Sequence, residues 1–405
     1  MKCIFYNGII RTMTGTTVQA VAIEEGIISA VGSDDEILAL GNSETEKVDL
    51  KGQCLLPGFN DSHCHLLLTG MNFVRLDLKG VTSVEGIIAR GRRYIEESAL
   101  PEGQWVIGFG FDQNQFDNPV LPDGSVAEAI SSSHPVLLDR ICGHVGAANR
   151  LALRQVKFTA QTEIQGGILD KDANGNLTGI LREAALDCFK SRIPKVGVEE
   201  TMSIIQATSS YANAFGITSM QTDDLEGVPL ETLLEAFARL EKEGKLTIRV
   251  FEEVQAARRQ VLERFLSKEM RTGWGSNYFK IGNIKLLTDG SLGARTAYLR
   301  QDYSDDPGNQ GVAIYSQSEL DEMVEVAHKA DMQIAFHAIG DGAIEQCVNA
   351  VEKAMIANSK DLRHRIVHCQ IADEELFDRI KKLGMGVDIQ PSFTASDMLL
   401  VEPRL

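Results

Sequence analysis

Asp61-Ser62-His63-Cys64-His65 follows the apolar run Cys54-Leu55-Leu56-Pro57-Gly58-Phe59. In a strand, residues two apart face the same side with Cα atoms about 6.6 Å apart, so His63 and His65 can converge on one cation. Two further apolar runs finish on a histidine: Gln333-Ile334-Ala335-Phe336-His337 and Arg365-Ile366-Val367-His368. A third carries lysine in Ile284-Lys285-Leu286-Leu287-Thr288-Asp289. Taken singly, each downstream histidine reads as well as a hydrogen-bonded residue at a strand end. As a set they describe a metal centre, in which imidazoles and a carboxylate-like group hold a divalent cation that polarises a carbonyl and activates water. An unmodified lysine cannot bridge two cations, so Lys285 also reads as an ion-pairing residue beside Asp289.

The elements that must position these residues alternate. Strands are expected at 54–62, 216–222, 246–251, around Lys285, His337 and His368, and at 386–390, with helical periods such as 230–244 and 318–330 between them. Strand alternating with helix means a parallel sheet, and in a parallel barrel the C-terminal strand ends gather on one face, where sites are built. Seven barrel strands are expected where closure takes eight. Residues 1–53 read as a small β unit, with strands at 3–6, 18–23 and 27–31. The stretch from about 70 to 205 breaks the rhythm and reads as an insertion over the barrel mouth. Within it Asp170-Lys171-Asp172-Ala173-Asn174-Gly175 imitates a calcium loop, but Leu181 stands where such a loop needs glutamate, so a hairpin turn is expected. Gly108-Phe109-Gly110 lacks the third glycine of a dinucleotide fingerprint.

Composition narrows the class. With 57 acidic against 40 basic side chains the formal charge is -17, which repels phosphate backbones and argues against nucleic-acid binding. No apolar run is long enough for a membrane span, and no signal-peptide core develops after Met1. Seven cysteines without a Cys-x-x-Cys fit a reducing compartment, so a cytoplasmic protein is expected, with self-association left open.

The motifs Pro57-Gly58-Phe59-Asn60-Asp61-Ser62-His63-Cys64-His65, Lys285 to Gly293, His337-Ala338-Ile339-Gly340-Asp341 and Arg365-Ile366-Val367-His368 together resemble the amidohydrolase superfamily, specifically amidohydrolase family 3. The resemblance spans nearly the whole chain, including His134 to Leu138, Gly143 to Asn149 and Thr178 to Ala185. It implies an α/β fold, a (β/α)8 TIM barrel at 54–405 with a long insertion after its first strand and a β-sandwich side domain begun by 1–53. It implies one or two divalent metals, zinc by preference. His63 and His65 then bind the more buried ion, Lys285 bridges as a carbamate, and His337 and His368 bind the second. His144, Asp289 and Asp341 become candidates for contacts with substrate or behind the ligands. Family members carry glutamate before the histidine matched by His368; here it is Val367, expected from strand alternation to face away from the barrel.

The family's catalytic aspartate follows an eighth strand that lies beyond Leu405, as does the remainder of the sandwich. The last residues, Val401 to Leu405, show neither helix cap nor closing strand. The expected activity is hydrolysis of an amide-like C–N bond in a small non-peptide substrate. Two other readings stay open: a barrel enzyme of another type, such as a decarboxylase or isomerase, and a non-catalytic metal-containing binding or regulatory protein. The reading frame downstream of codon 405 would separate the last from the enzymes.

Overall fold

The structure, a computed structural model, describes residues 2–225 and 227–405. The chain forms two compact units, 1–61 with 213–219, and 62–212 with 220–405. In the first unit a four-stranded sheet runs in the order Ile27–Gly32, Ala20–Glu24, Lys2–Tyr6, Glu46–Asp49. Its buried face is Ile4, Ala20, Ala22 and Ile37, the last from the helix Asp34–Leu38. Ser33 and Glu36 cap that helix reciprocally. A small sheet of Thr17–Val18, Ile9–Arg11 and Cys54–Leu55 also belongs to this unit.

The site is carried by a seven-stranded sheet whose strands lie side by side in chain order. These are β1 (Phe59–Cys64), β2 (Ile217–Thr222), β3 (Arg249–Gln255), β4 (Phe279–Leu287), β5 (Ile334–Ala338), β6 (Arg365–His368) and β7 (Gly386–Asp388). Pairing from β3 to β7 is parallel throughout. Seven of the nine residues of β4 are buried, as expected of a parallel strand covered on both faces. Helices such as Leu230–Lys242, Gln317–Lys329 and Asp341–Ala357 alternate with the strands and bury one apolar stripe each. This is a nearly closed parallel barrel of the TIM type. Arg365 spans the gap in the strand order: its Nη1 reaches Ser62 O of β1 at 3.4 Å and Asp388 Oδ2 of β7 at 2.7 Å.

Strand β3 starts at Arg249 and runs on to Gln255, beyond the expected end at 251, because Glu252 and Glu253 are buried inside it. Across from them β4 carries one extra residue, since Glu252 pairs with Ile281 and Val254 with Ile284. Gly282 lies in this bulge, where a Cβ would stand 3.1 Å from Glu252 O.

The inserted region forms a six-stranded sheet ordered Gly167–Lys171, Leu177–Glu183, Val145–Ala148, Val136–Arg140, Val106–Phe111, Leu76–Asp77. It has its own apolar clusters, one around Leu78, Val106 and Phe111 and one around Leu137, Leu181 and Phe189. The segment 170–175 is the expected hairpin turn: Asp172 N–H donates to Asn176 O and Gly175 adopts a φ of 84°. The final residues form the helix Met398–Arg404, although no cap signal marks it in the sequence.

Behind β5 and β6 two buried histidines share a proton chain. Ile334 N–H donates to His364 Nδ1 at 3.0 Å, so His364 Nε2 carries the hydrogen and donates to His328 Nδ1 at 2.8 Å. His328 Nε2 in turn donates to Asn358 O at 2.7 Å. Burial, and then His328, push His364 down to about 3, with Asp361 opposing. The folded protein therefore binds fewer protons here than the unfolded chain, whose histidine titrates near 6.5. The stabilising contribution is complete above about pH 6.5 and is lost as pH falls towards 3. Urea unfolding between pH 4 and 7 is expected to show a decline from this site approaching 1.4 kcal/mol per pH unit, absent in His364→Leu. Equal slopes in both proteins would contradict this assignment.

Candidate metal centre

His63 is the penultimate residue of β1, and His65 lies just beyond the strand's end, directly before the helix Leu66–Val74. That helix start has no cap of its own; Thr222 Oγ1 and Asp224 Oδ1, from the end of β2 and the following turn, accept from Leu66 N and Leu67 N at 2.8 Å each. Asp224 is held in turn by Glu252, whose Oε1 accepts its backbone N–H at 3.0 Å. Burial raises Asp224 to about 6 and Glu252 well above the usual carboxylate range. This places Asp223 O against His65 Nδ1 at 3.2 Å.

Lys285 and His337 share a face by register, since Leu287 pairs with His337 and Lys285 with Ala335. His368 breaks the rule. It pairs with Ala338, which puts it on the opposite face from His337, yet its ring centre lies 4.7 Å from that of His337 and 5.3 Å from that of His63. The φ of 75° at His368, followed by 48° at Cys369, takes the side chain out of the strand's alternation. A left-handed backbone at two consecutive non-glycine residues costs roughly 1–2 kcal/mol each, the kind of strain that collects at functional sites. The same register corrects the expectation for Val367: it pairs with His337 and so faces inward, fully buried.

The structure thus brings four of the expected histidines together, because His63 and His65 also stand with ring centres 5.4 Å apart. Lys285 is 2% exposed and close enough to His63, His337 and His368 to act on the charge of all three. Burial first, then the Lys285 ammonium, push His63 down to about 2. Burial takes His368 to about 4 against its bond to Gln390, and lowers His337 against its bond to the Gly290 carbonyl. The neutral imidazole these environments favour is the metal-binding form.

Three rings already use one nitrogen on an oxygen. His65 Nδ1 donates to Asp223 O, His337 Nε2 to Gly290 O at 3.0 Å, and His368 Nδ1 to Gln390 Oε1 at 2.7 Å. Such bonds fix the tautomer and leave the other nitrogen with its lone pair, as outer-shell partners of metal-bound histidines do. Two imidazoles on one tetrahedral zinc, with Zn–N of about 2.0–2.1 Å, have ring centres roughly 5 Å apart, which is the spacing found. Among the described residues no three His, Cys, Asp or Glu side chains form a finished cage. The donor set fits a divalent ion in kind and spacing, and loading requires the rings to turn onto it.

A buried charge network that sequence reasoning missed lies next to these residues. Arg365 Nη2 donates to Glu253 Oε1 and to Asn283 Oδ1, both at 2.7 Å. Glu253 Oε2 lies 3.3 Å from Lys285 Nζ and 4.0 Å from His63 Nδ1. The ion-pair partner of Lys285 is therefore Glu253 of β3, not Asp289. Asp289 accepts from Tyr298 N, Ile339 N and Gly340 N, and its Oδ1 is 3.6 Å from His337 Nε2. Burial raises it to about 6 against those three bonds. It ties together the loops after β4 and β5 behind His337. Asp341 accepts from Arg300 N at 2.9 Å at the start of its own helix, and the exposed His144 pairs with Glu183 at 2.9 Å in the inserted sheet. No contact among the described residues joins either to the four histidines.

Comparisons with known proteins agree with this architecture. The profile of the amidohydrolase family matches residues 46–405. The chain is 33% identical to the "Putative amidohydrolase YtcJ" of Bacillus subtilis (strain 168), over 100% of this chain and 76% of that protein. It is 25% identical to the N-substituted formamide deformylase of Arthrobacter pascens, over 95% of this chain and 72% of the relative. Among solved structures, an uncharacterized metal-dependent hydrolase from Pyrococcus horikoshii OT3 superposes with a TM-score of 0.80 at 30% identity, covering 100% of this chain and 77% of the other.

Proposed function

Because the chain belongs to the amidohydrolase family and so to a group of metal-dependent hydrolases, we propose that it hydrolyses an amide-like C–N bond in a small non-peptide substrate. In this reading His63, His65, His337 and His368 hold zinc, as one or two ions, and Lys285 joins them as a carbamate. The observation that carries it is the convergence of four imidazoles beside Lys285, three of them oriented by oxygen acceptors. When bound, the metal supplies a polarised carbonyl and a water acidic enough to attack near neutral pH. The chain's own residues orient and exclude: Gly290 O and Gln390 fix the rings of His337 and His368, while Asp289 clamps the loops that carry Gly290 and Gly340.

The name of the Arthrobacter relative supports the C–N bond, and cysteines that form no disulfide among the described residues fit a cytoplasmic location. Among the described residues no helix is long and apolar enough to cross a membrane. We further read residues 1–53 as part of a β-sandwich domain and 54–405 as the barrel with its insertion.

The test is a panel of N-formyl and N-acyl amines with metal-loaded protein, scoring release of free amine. Hydrolysis of at least one class is expected where the family's eighth-strand aspartate is present, suppressed by chelator and restored by zinc, and little from residues 1–405 alone, which carry the candidate ligands without that base. Lys285→Ala should lower it by roughly 10²-fold or more, with partial rescue by short carboxylic acids that replace the missing carbamate. Full metal occupancy with no amide hydrolysed would remove the reading.

A further inference from the structure

A cavity of ≈ 680 Å³ opens beside His368, large enough for a small organic molecule. Its wall is apolar, formed by Ile371, Ile389, Pro391, Phe393, Met398 and Val401. Phe393 lies nearly parallel to the His368 ring, at 17° and 5.8 Å between centres. Two glutamines also line it, but both are engaged: Gln390 with His368 Nδ1 and Asp388 O, and Gln370 with Asp397 Oδ2 at 2.7 Å. That leaves Glu402 as the charged group on the wall, without an ion-pair partner among the described residues. Ile389 and Met398 are each 65% exposed, an apolar surface that an incoming ligand would cover.

We propose that this cavity receives the amine half of the substrate, an aryl or branched-alkyl substituent on the amide nitrogen, with Phe393 and Met398 as specificity-determining residues. The proposal rests on the hydrolytic reading above. The reaction balances as RCO–NHR′ + H2O → RCOO⁻ + R′NH3⁺: the C–N bond breaks, a C–O bond forms, and the water's protons finish on the departing nitrogen. The product in the cavity is then an apolar cation. Contact with Phe393 and the apolar wall suits its substituent, and Glu402 suits its charge. The carboxylate product suits neither, since Glu402 repels it.

Binding is measured directly, so that the result does not depend on turnover. Isothermal titration of the metal-loaded protein with 2-phenylethylamine, ethylamine and 3-phenylpropionate at neutral pH should rank the aryl ammonium first. The gain over ethylamine is expected to be roughly tenfold to a hundredfold, the worth of burying one aromatic side group. Phe393→Ala should remove about tenfold of it, and Met398→Ser a smaller part. Glu402→Gln should narrow the preference for the ammonium over the carboxylate. Met398 is exposed and Phe393 only half-buried at the chain's surface, so these variants should fold. Equal binding of the two amines, or tighter binding of 3-phenylpropionate, would overturn the assignment. If the ranking holds while no amide is hydrolysed, the hydrolytic reading fails and the cavity's chemistry stands.

Discussion

Arg365→Met is expected to destabilise the barrel by about 3–5 kcal/mol, the cost of stranding buried carboxylates that one guanidinium now serves. Glu253 is fully buried and Asp388 is 7% exposed, and Arg365 donates to both at 2.7 Å. Methionine matches the length of the stem but returns no hydrogen bond, so among the described residues Glu253 is left with Lys285 as its lysine or arginine neighbour. The Ser62 O contact from β1 also goes, and with it a link between the first and last strands of the order. Equilibrium urea unfolding of the two proteins, at equal metal loading, measures the difference. The double variant Arg365→Met with Glu253→Leu should recover part of the loss, since removing both partners is far less costly than removing one. A single variant as stable as the wild type would show that the network contributes little.

His368→Gly should abolish hydrolysis, by roughly 10³-fold or more, while changing unfolding free energy by no more than about 1 kcal/mol. The two effects separate because of the backbone. Glycine relieves the left-handed conformation at φ 75°, and this relief offsets the loss of the ring's packing and of its bond to Gln390. His337→Gly offers the comparison. It lies inside β5 in ordinary strand geometry, so glycine there should lose activity similarly and cost clearly more stability. If His368→Gly proved the less stable of the two, the strain at residue 368 would not be what its φ implies.

The candidate ligands were legible because a histidine that ends an apolar run is conspicuous, and three such ends in one chain, beside a fourth run that carries Lys285, are hard to assign to unrelated structural roles. Glu252 and Glu253 were not legible. Two consecutive carboxylates read as a strand's end, whereas here they continue it, one serving the turn after β2 and the other sharing Arg365 with Asn283 and Asp388. Their partners lie far off in sequence, beyond the reach of periodicity. The facing of Val367 failed for a related reason: alternation was counted back from His368, and His368 is the residue that leaves the alternation. The insertion announced itself as a break in the rhythm. Its six-stranded sheet did not, because mixed parallel and antiparallel pairing depends on contacts between distant segments.

Metal content tests the central claim most directly. Protein purified without chelator and reconstituted with zinc should carry about one to two equivalents by elemental analysis, and His63→Ala should lose most of it. His328→Ala removes a more deeply buried histidine that pairs with His364 away from the four converging rings, and should keep the metal. Less than about a tenth of an equivalent in the wild type after reconstitution, or equal loss in both variants, would contradict a metal centre built on His63, His65, His337 and His368.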